Sequence, residues 1–214
     1  MKYIQRTPEP QALNKAREKK SLWKDLTKND QDTYNIIVEE LHSMQKELCA
    51  YCERKIKKED KKYHVEHFRC RHHFPENQLE WNNLFLSCND KKTCGRHKDC
   101  SKTEKYDVND LIKPDIETYN PEQYFTYISN GEIKVRLDLN NEDKRKANET
   151  IRVFNLNEIN LVNRRKKISY IYDKLLENVN YKDNPESAID IIREMNEFEF
   201  PSFIDSRYCA YQKE

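Results

Sequence analysis

The sequence predicts an α+β fold, mostly helical, and three observations predict it. Apolar residues recur at helical spacing along much of the chain. Three stretches instead carry the shorter strand pattern: "HVEHF", "LFLSC" and "FTYISNGEIKVRL". Between Cys49 and Asp99 lie five of the seven cysteines and five of the six histidines. Hydrophobic and charged residues each make up 36% of the 214 residues, so the core is modest and a bound metal would supplement it.

Three segments follow from this pattern. In residues 1–48, "DTYNIIVEELHSMQKEL" places Ile37, Leu41, Met44 and Leu48 on one helical stripe over 32–48, leading into Cys49. His42, on the same helix, reads as structural or surface. In residues 49–105, "HVEHF" and "LFLSC" are short strands, and "TCGRHKDCSK" opens a helix. In residues 106–214, Asn120-Pro121 has the form of a helix start. Phe125 and Tyr127 then face Ile133, Val135 and Leu137 across an Asn130-Gly131 turn, whose residues tolerate positive φ. Three helices complete the chain. Their stripes are Ala147, Ile151 and Phe154; Ile168, Ile171, Tyr172, Leu175, Leu176 and Val179; and Ala188, Ile191, Ile192, Met195 and Phe198, the last started by Asn184-Pro185. "RRKK" at Arg164–Lys167 reads as a solvated helix turn.

Composition excludes several classes. With only Gly95 and Gly131, the chain has no Gly-rich phosphate loop. No apolar run approaches the roughly 20 residues that span a bilayer. "MKYIQRTPEPQALNKAREKK" has no apolar signal core. A cytoplasmic location is therefore expected, where clustered cysteines favour metal over disulfides. The net charge of +1 hides an asymmetry. Residues 53–105 carry 14 Lys/Arg against 9 Asp/Glu, and the remainder 25 against 29. The basic excess coincides with the Cys/His cluster, as phosphate binding would require.

Cys49-x2-Cys52 and Cys88-x5-Cys94 form two pairs from distant stretches, the pattern by which thiolates surround structural zinc. The second spacing is loose, so Cys100 is an alternative to Cys94. Cys70 and Cys209 have no evident partner.

Between the pairs stands Glu66-His67. Strand alternation puts Glu66 opposite Val65, and His67 reaches the same pocket through the strand's terminal bend. A neutral imidazole beside a carboxylate suits a general base that takes a proton from water. A hard cation, Mg²⁺ or Mn²⁺, held by Glu66 and a second ligand would polarise a phosphate.

Together "LCAYCERKI", "VEHFRCRHHFPE", "WNNLFLSCND" and "CGRHKD" resemble the HNH endonuclease family, over roughly Cys49–Asp99. The resemblance implies a zinc-stapled ββα-metal finger, with N-terminal helices before it and a hairpin plus helices after it. It implies His67 as general base, Glu66 as metal ligand and Asn83 as the central Asn that braces the loop, with Asn82 its rival. Lys98 falls where family members often present a basic residue to the phosphates. Where the family often has His or Asn after the last zinc cysteine, this chain has Gly95. His97 is then the nearest helix residue for the catalytic cation, although its side chain could turn to the zinc instead. With "MKYIQRTPEP", "YFTYISNGEI" and "TIRVFNLN" included, the likeness is to the PtuB group of HNH subunits from Septu anti-phage systems, relatives of which accompany some retrons. That implies a partner ATPase of the PtuA type and a role in bacterial defence. The "TPEP" segment is a candidate surface for that partner. DNA is the expected substrate, with structured RNA such as tRNA the alternative. A reading of another class is a zinc-stapled nucleic-acid or protein-binding module without catalysis.

Overall fold

The computed structural model describes residues 1–100, 103–116, 118–177, 184–195 and 198–209, with the backbone alone at 185 and 209. It is mixed α and β, about half helical, with two small two-stranded sheets. No helix among the described residues is long and apolar enough to cross a membrane.

Three helices open the chain: α1 (Gln11–Glu18), α2 (Trp23–Asn29) and α3 (Gln31–Met44). The Asp30 carboxylate starts α3 by accepting from the Thr33 amide at 3.2 Å. Leu13, Ala16, Trp23, Leu26, Ile37 and Leu41 form the buried face that joins the three helices. The predicted stripe stops one turn early. Lys46 and Glu47 take positive φ and reverse the chain, so Leu48 lies beyond the helix and bridges to Lys55. His42 is structural: it is buried edge-on against the Tyr63 ring at 4.5 Å, and burial lowers its pKa.

At the centre, β1 (Tyr63–His67) pairs antiparallel with β2 (Leu84–Cys88), placing Tyr63 opposite Cys88 and Glu66 opposite Phe85. Every residue of β2 is buried, because both faces are covered. The short helix α4 (Cys94–Lys98) packs on β2. Strand, strand and helix thus follow one another in a compact β-β-α unit.

Distally, β3 (Phe125–Tyr127) pairs with β4 (Ile133–Val135) across the expected turn. Gly131 has φ +90, and a Cβ there would meet the Val162 carbonyl oxygen at 2.2 Å. Glycine is therefore required on both counts. The hairpin is shorter than its pattern. Leu137 does not face Phe125 but stands 90% exposed, beyond the end of β4. Asn120 caps a single 3₁₀ turn at Pro121–Tyr124.

Helices α5 (Asn141–Val153), α6 (Ile159–Leu176), α7 (Pro185–Met195) and α8 (Pro201–Ile204) complete the fold. Ala147, Phe154, Ile168, Ala188 and Ile192 are buried as expected. Met195 and Phe198, assigned to the last stripe, are instead 60% and 57% exposed. Val179 lies outside the described residues, as does the Cys209 side chain. Arg165 is not solvated: its guanidinium is buried and donates to the carbonyls of Gly131 at 2.6 Å and Leu156 at 2.9 Å. It ties α6 to the hairpin turn.

Met1 and Ser202 converge on Glu53, next to the first cysteine pair. One Glu53 oxygen lies 2.7 Å from the Met1 amino group, and the other accepts from the Ser202 amide at 2.7 Å. The second pair is fixed from another side, where the Cys94 amide donates to the Phe154 carbonyl at 2.7 Å.

Candidate active site and metal centre

Cys49, Cys52, Cys88 and Cys94 are buried, and their sulfurs all lie within 4.8 Å of one another. Tetrahedral zinc with Zn–S bonds of about 2.3 Å sets neighbouring sulfurs about 3.8 Å apart. The Cys52 and Cys88 sulfurs are 3.9 Å apart, so the donor set fits a metal ion such as zinc. Four thiolates around one divalent ion leave a negative site. Arg54 stands beside Cys52 and Cys88, which raise its pKa against the opposing effect of burial. The Cys88 amide donates to the Cys49 sulfur at 3.3 Å. Cys100 is not part of this group; it is only half-buried, past the end of α4. Cys70 is likewise half-buried and apart.

A second centre lies at the other end of β1. Glu66 and His67 are adjacent, so their side chains leave opposite faces of the strand, and each face is covered. Both residues are therefore buried. Glu66 turns towards α4. Its Oε1 lies 2.9 Å from Lys98 Nζ, and its Oε2 lies 3.1 Å from His64 Nε2. Burial alone would raise the Glu66 pKa, but Lys98 and His64 outweigh it and hold the carboxyl at about 2. Gly95 makes room for this carboxylate, since any Cβ there would overlap it.

His67 turns towards the loop and α2. The Trp23 ring meets it edge-on at 4.8 Å. Its Nε2 lies 3.0 Å from the Gln78 carbonyl, which can only accept, so Nε2 carries the proton. The lone pair is then on Nδ1. Burial is the main cause that lowers the His67 pKa to about 4, so the ring is neutral at physiological pH. Glu66, His67, His64, Arg71 and Asp99 line a cleft of about 290 Å³.

Asn83 holds the loop after β1. Its Oδ1 accepts from the Arg69 amide at 2.7 Å, and its Nδ2 donates to the carbonyls of Arg69 at 3.1 Å and Asn77 at 3.0 Å. Asn82, its rival, is exposed and offers only a backbone carbonyl, to Arg6.

Two sequence-based assignments do not hold. His97 is not brought to Glu66 or to the sulfurs. Its Nδ1 donates to the Val153 carbonyl at 2.8 Å, because that position of α4 faces the end of α5. Lys98 does not face outward. Its ammonium is fully buried between Glu66 and Asp99, and also donates to the His67 carbonyl at 3.2 Å. Burial would lower the Lys98 pKa, and the two carboxylates raise it instead.

Sequence reasoning missed Asp99 and the pairing of His64 with Glu66. Asp99 lies four residues after Gly95 on the helical repeat that brings i and i+4 to one face. Its side chain is 40% exposed, and partial desolvation together with the nearby Glu66 pushes its pKa up to about 6. His64 lies two residues before Glu66, on the same strand face. Both periods were present in the sequence. No family model matches the chain, and no curated protein matches it.

Proposed function

We propose that this chain is an HNH-type endonuclease that hydrolyses phosphodiester bonds with His67 as general base. The observation that carries the proposal is the Gln78 carbonyl on His67 Nε2, which fixes a neutral imidazole with Nδ1 as its basic nitrogen. His67 takes a proton from water at Nδ1 while the water oxygen bonds to phosphorus and the P–O bond to the leaving strand breaks. Asn83 keeps the loop that carries Gln78 in register with β1. Glu66, with Asp99 in place of His97, supplies oxygen donors that suit Mg²⁺ or Mn²⁺, and such a cation would offset charge on the phosphate.

DNA is the favoured substrate and structured RNA such as tRNA the alternative, because water as nucleophile needs no 2′-hydroxyl. The likeness to PtuB subunits supports a role in an anti-phage complex with an ATPase of the PtuA type.

A second reading, a zinc-stapled binding module without catalysis, is favoured by two observations. Lys98 already neutralises Glu66, and Gly95 offers no donor where the family has His or Asn.

The deciding experiment incubates the chain, alone and with an ATPase of the PtuA type, on phage DNA and total tRNA with Mn²⁺. Cleavage should fall by roughly 10²–10⁴-fold in His67→Ala, with zinc content and melting temperature retaining a folded chain. Cleavage by His67→Ala at the wild-type rate would refute the assignment and point to His64 or His72. Absence of cleavage on every substrate, with nucleic acid still bound, would favour the binding module.

A further inference from the structure

We infer that the cavity beside the cleft, between the turn at 70–74 and residues 98–100 and 103–108, is a subsite for an unpaired nucleobase of the strand being cut. The inference rests on the nuclease reading and adds the substrate class. The cavity measures about 810 Å³ and shares Arg71 and Asp99 with the cleft, so the two depressions adjoin. Their sizes divide the work. The cleft, at about 290 Å³, suits a phosphate and its attacking water. The cavity falls within the range of about 300–1,000 Å³ that encloses a small organic molecule.

Its lining fits a base. Phe74 and Tyr106, both half-buried, present aromatic rings to it, and every nucleobase has a face that stacks on such rings. Burial raises the Tyr106 pKa to about 12, so its ring carries a neutral hydroxyl. Arg71 and Lys105 stand exposed at the walls, where flanking phosphates would run.

Placement gives the substrate class. A base in a duplex is stacked and paired, so it reaches a pocket beside its own phosphate only by turning out of the helix. That cost is smallest when the strand is already unpaired. The basic excess of residues 53–105 is small, 14 Lys/Arg against 9 Asp/Glu, against roughly 6–10 phosphate contacts for strongly salt-dependent duplex binding. Single strands and loops are therefore the class that this depression accommodates.

The test is fluorescence anisotropy with the full chain and no added divalent cation. The probes are a labelled single strand of about 12 nucleotides, the same strand in duplex, and an abasic strand of equal length. The intact strand should bind roughly 5- to 100-fold more tightly than the abasic one, the range that stacking of a base supplies. It should also bind more tightly than the duplex. Tyr106→Leu should remove most of the difference, and Tyr106→Phe should keep it. Equal binding of intact and abasic strands, or preferential duplex binding, overturns the inference even if the variants do not fold, because the wild-type chain alone decides it. The two readings fail separately. Cleavage of duplex with no preference for single strands leaves the nuclease without this subsite. Base-dependent binding with no cleavage leaves the subsite without the nuclease.

Discussion

Gly95 lies directly against Glu66: a Cβ at position 95 would sit 2.3 Å from Glu66 Oε2 and 2.4 Å from Cδ. The absent side chain is thus part of the site, since it lets a buried carboxylate pass beneath α4 to reach Lys98 and His64. Gly95→Ala should force the carboxylate out of this arrangement. Breaking a buried pair costs about 3–5 kcal/mol, so the variant should melt well below wild type and lose cleavage. Gly95→Ala combined with Glu66→Asp, whose shorter chain leaves room for the methyl, should recover part of the lost stability. Wild-type melting of Gly95→Ala alone would show that Glu66 moves freely and is not held.

His67 makes the pH dependence specific. Its folded pKa, about 4, lies below the usual 6.5, so the unfolded chain takes up a proton first as pH falls. The associated stability is fully present above pH 6.5 and is lost as pH falls towards 4, by about 3 kcal/mol at most. The contribution of His67, the proposed base, to the acid limb of kcat/KM should likewise fall near pH 4 rather than 6.5. Melting curves between pH 4 and 7 should flatten in His67→Ala. Asp99, with a pKa of about 6, is the other group that could set an acid limb there, so a limb near 6.5 that persists in Asp99→Asn would mean that another histidine is the base.

Asn83 and Asn82 should behave differently despite being neighbours. Asn83→Ala leaves the Arg69 amide and the carbonyls of Arg69 and Asn77 without their partner. A buried polar group left unpaired costs about 1–3 kcal/mol, and water reaches some of these half-buried groups, so a total of about 2–3 kcal/mol is expected. Cleavage should fall as the loop loosens, with zinc retained. Asn82→Ala, at an exposed side chain, should stay within about 0.5 kcal/mol of wild type. Equal effects at both positions would remove the bracing role from Asn83.

These residues also mark where the sequence was legible. The strands "HVEHF" and "LFLSC" and the four cysteines were readable because strand alternation and paired ligand spacing are local signals. Asn83 was singled out only by the family resemblance, with Asn82 as its rival. Lys98 and His97 were misplaced because their directions depend on what packs against α4. Lys98 finds two carboxylates inside the molecule, and His97 finds the end of α5, from a segment more than 50 residues away. Leu137, Met195 and Phe198 extended apolar stripes that the chain does not bury. Periodicity gives a face, and only tertiary packing says how far along the element that face is covered.

The cysteine centre should hold about one zinc per chain. Cys49→Ser or Cys88→Ser should lose the metal and unfold the central unit, because metal binding and folding share one free energy. Cys94 adds to this dependence, since it sits at φ 57, a left-handed conformation disfavoured for a residue with a Cβ. Cys100→Ser should keep full zinc content. Elemental analysis of chelator-free protein decides it, and loss of zinc in Cys100→Ser would move the fourth ligand.

The segment before α1 was expected to be a docking surface for a partner, removable without loss of zinc. Its packing leads to a different expectation. Arg6 Nε donates to Asp115 at 2.6 Å, and its NH1 donates to the Trp81 carbonyl at 2.8 Å, next to the Asn83 loop. The guanidinium also lies over the Phe85 ring at 4.3 Å, at the centre of β2. Met1, Ile4 and Pro10 are buried as well. Deleting residues 1–12 should therefore unfold the central unit and release zinc, rather than only weaken a complex. Arg6→Ala is the finer probe, because it leaves Asp115 buried with Lys113, at 2.9 Å, as its remaining cation. Removing one partner of a buried pair costs about 3–5 kcal/mol, and Lys113 should keep the loss near the lower end. Arg6→Lys should restore only part of it, since an ammonium cannot match the planar fork or stack on Phe85 as well. Thermal melting with zinc analysis reads both effects. A truncated chain that keeps its zinc and its melting temperature would return the segment to the role of a free docking arm.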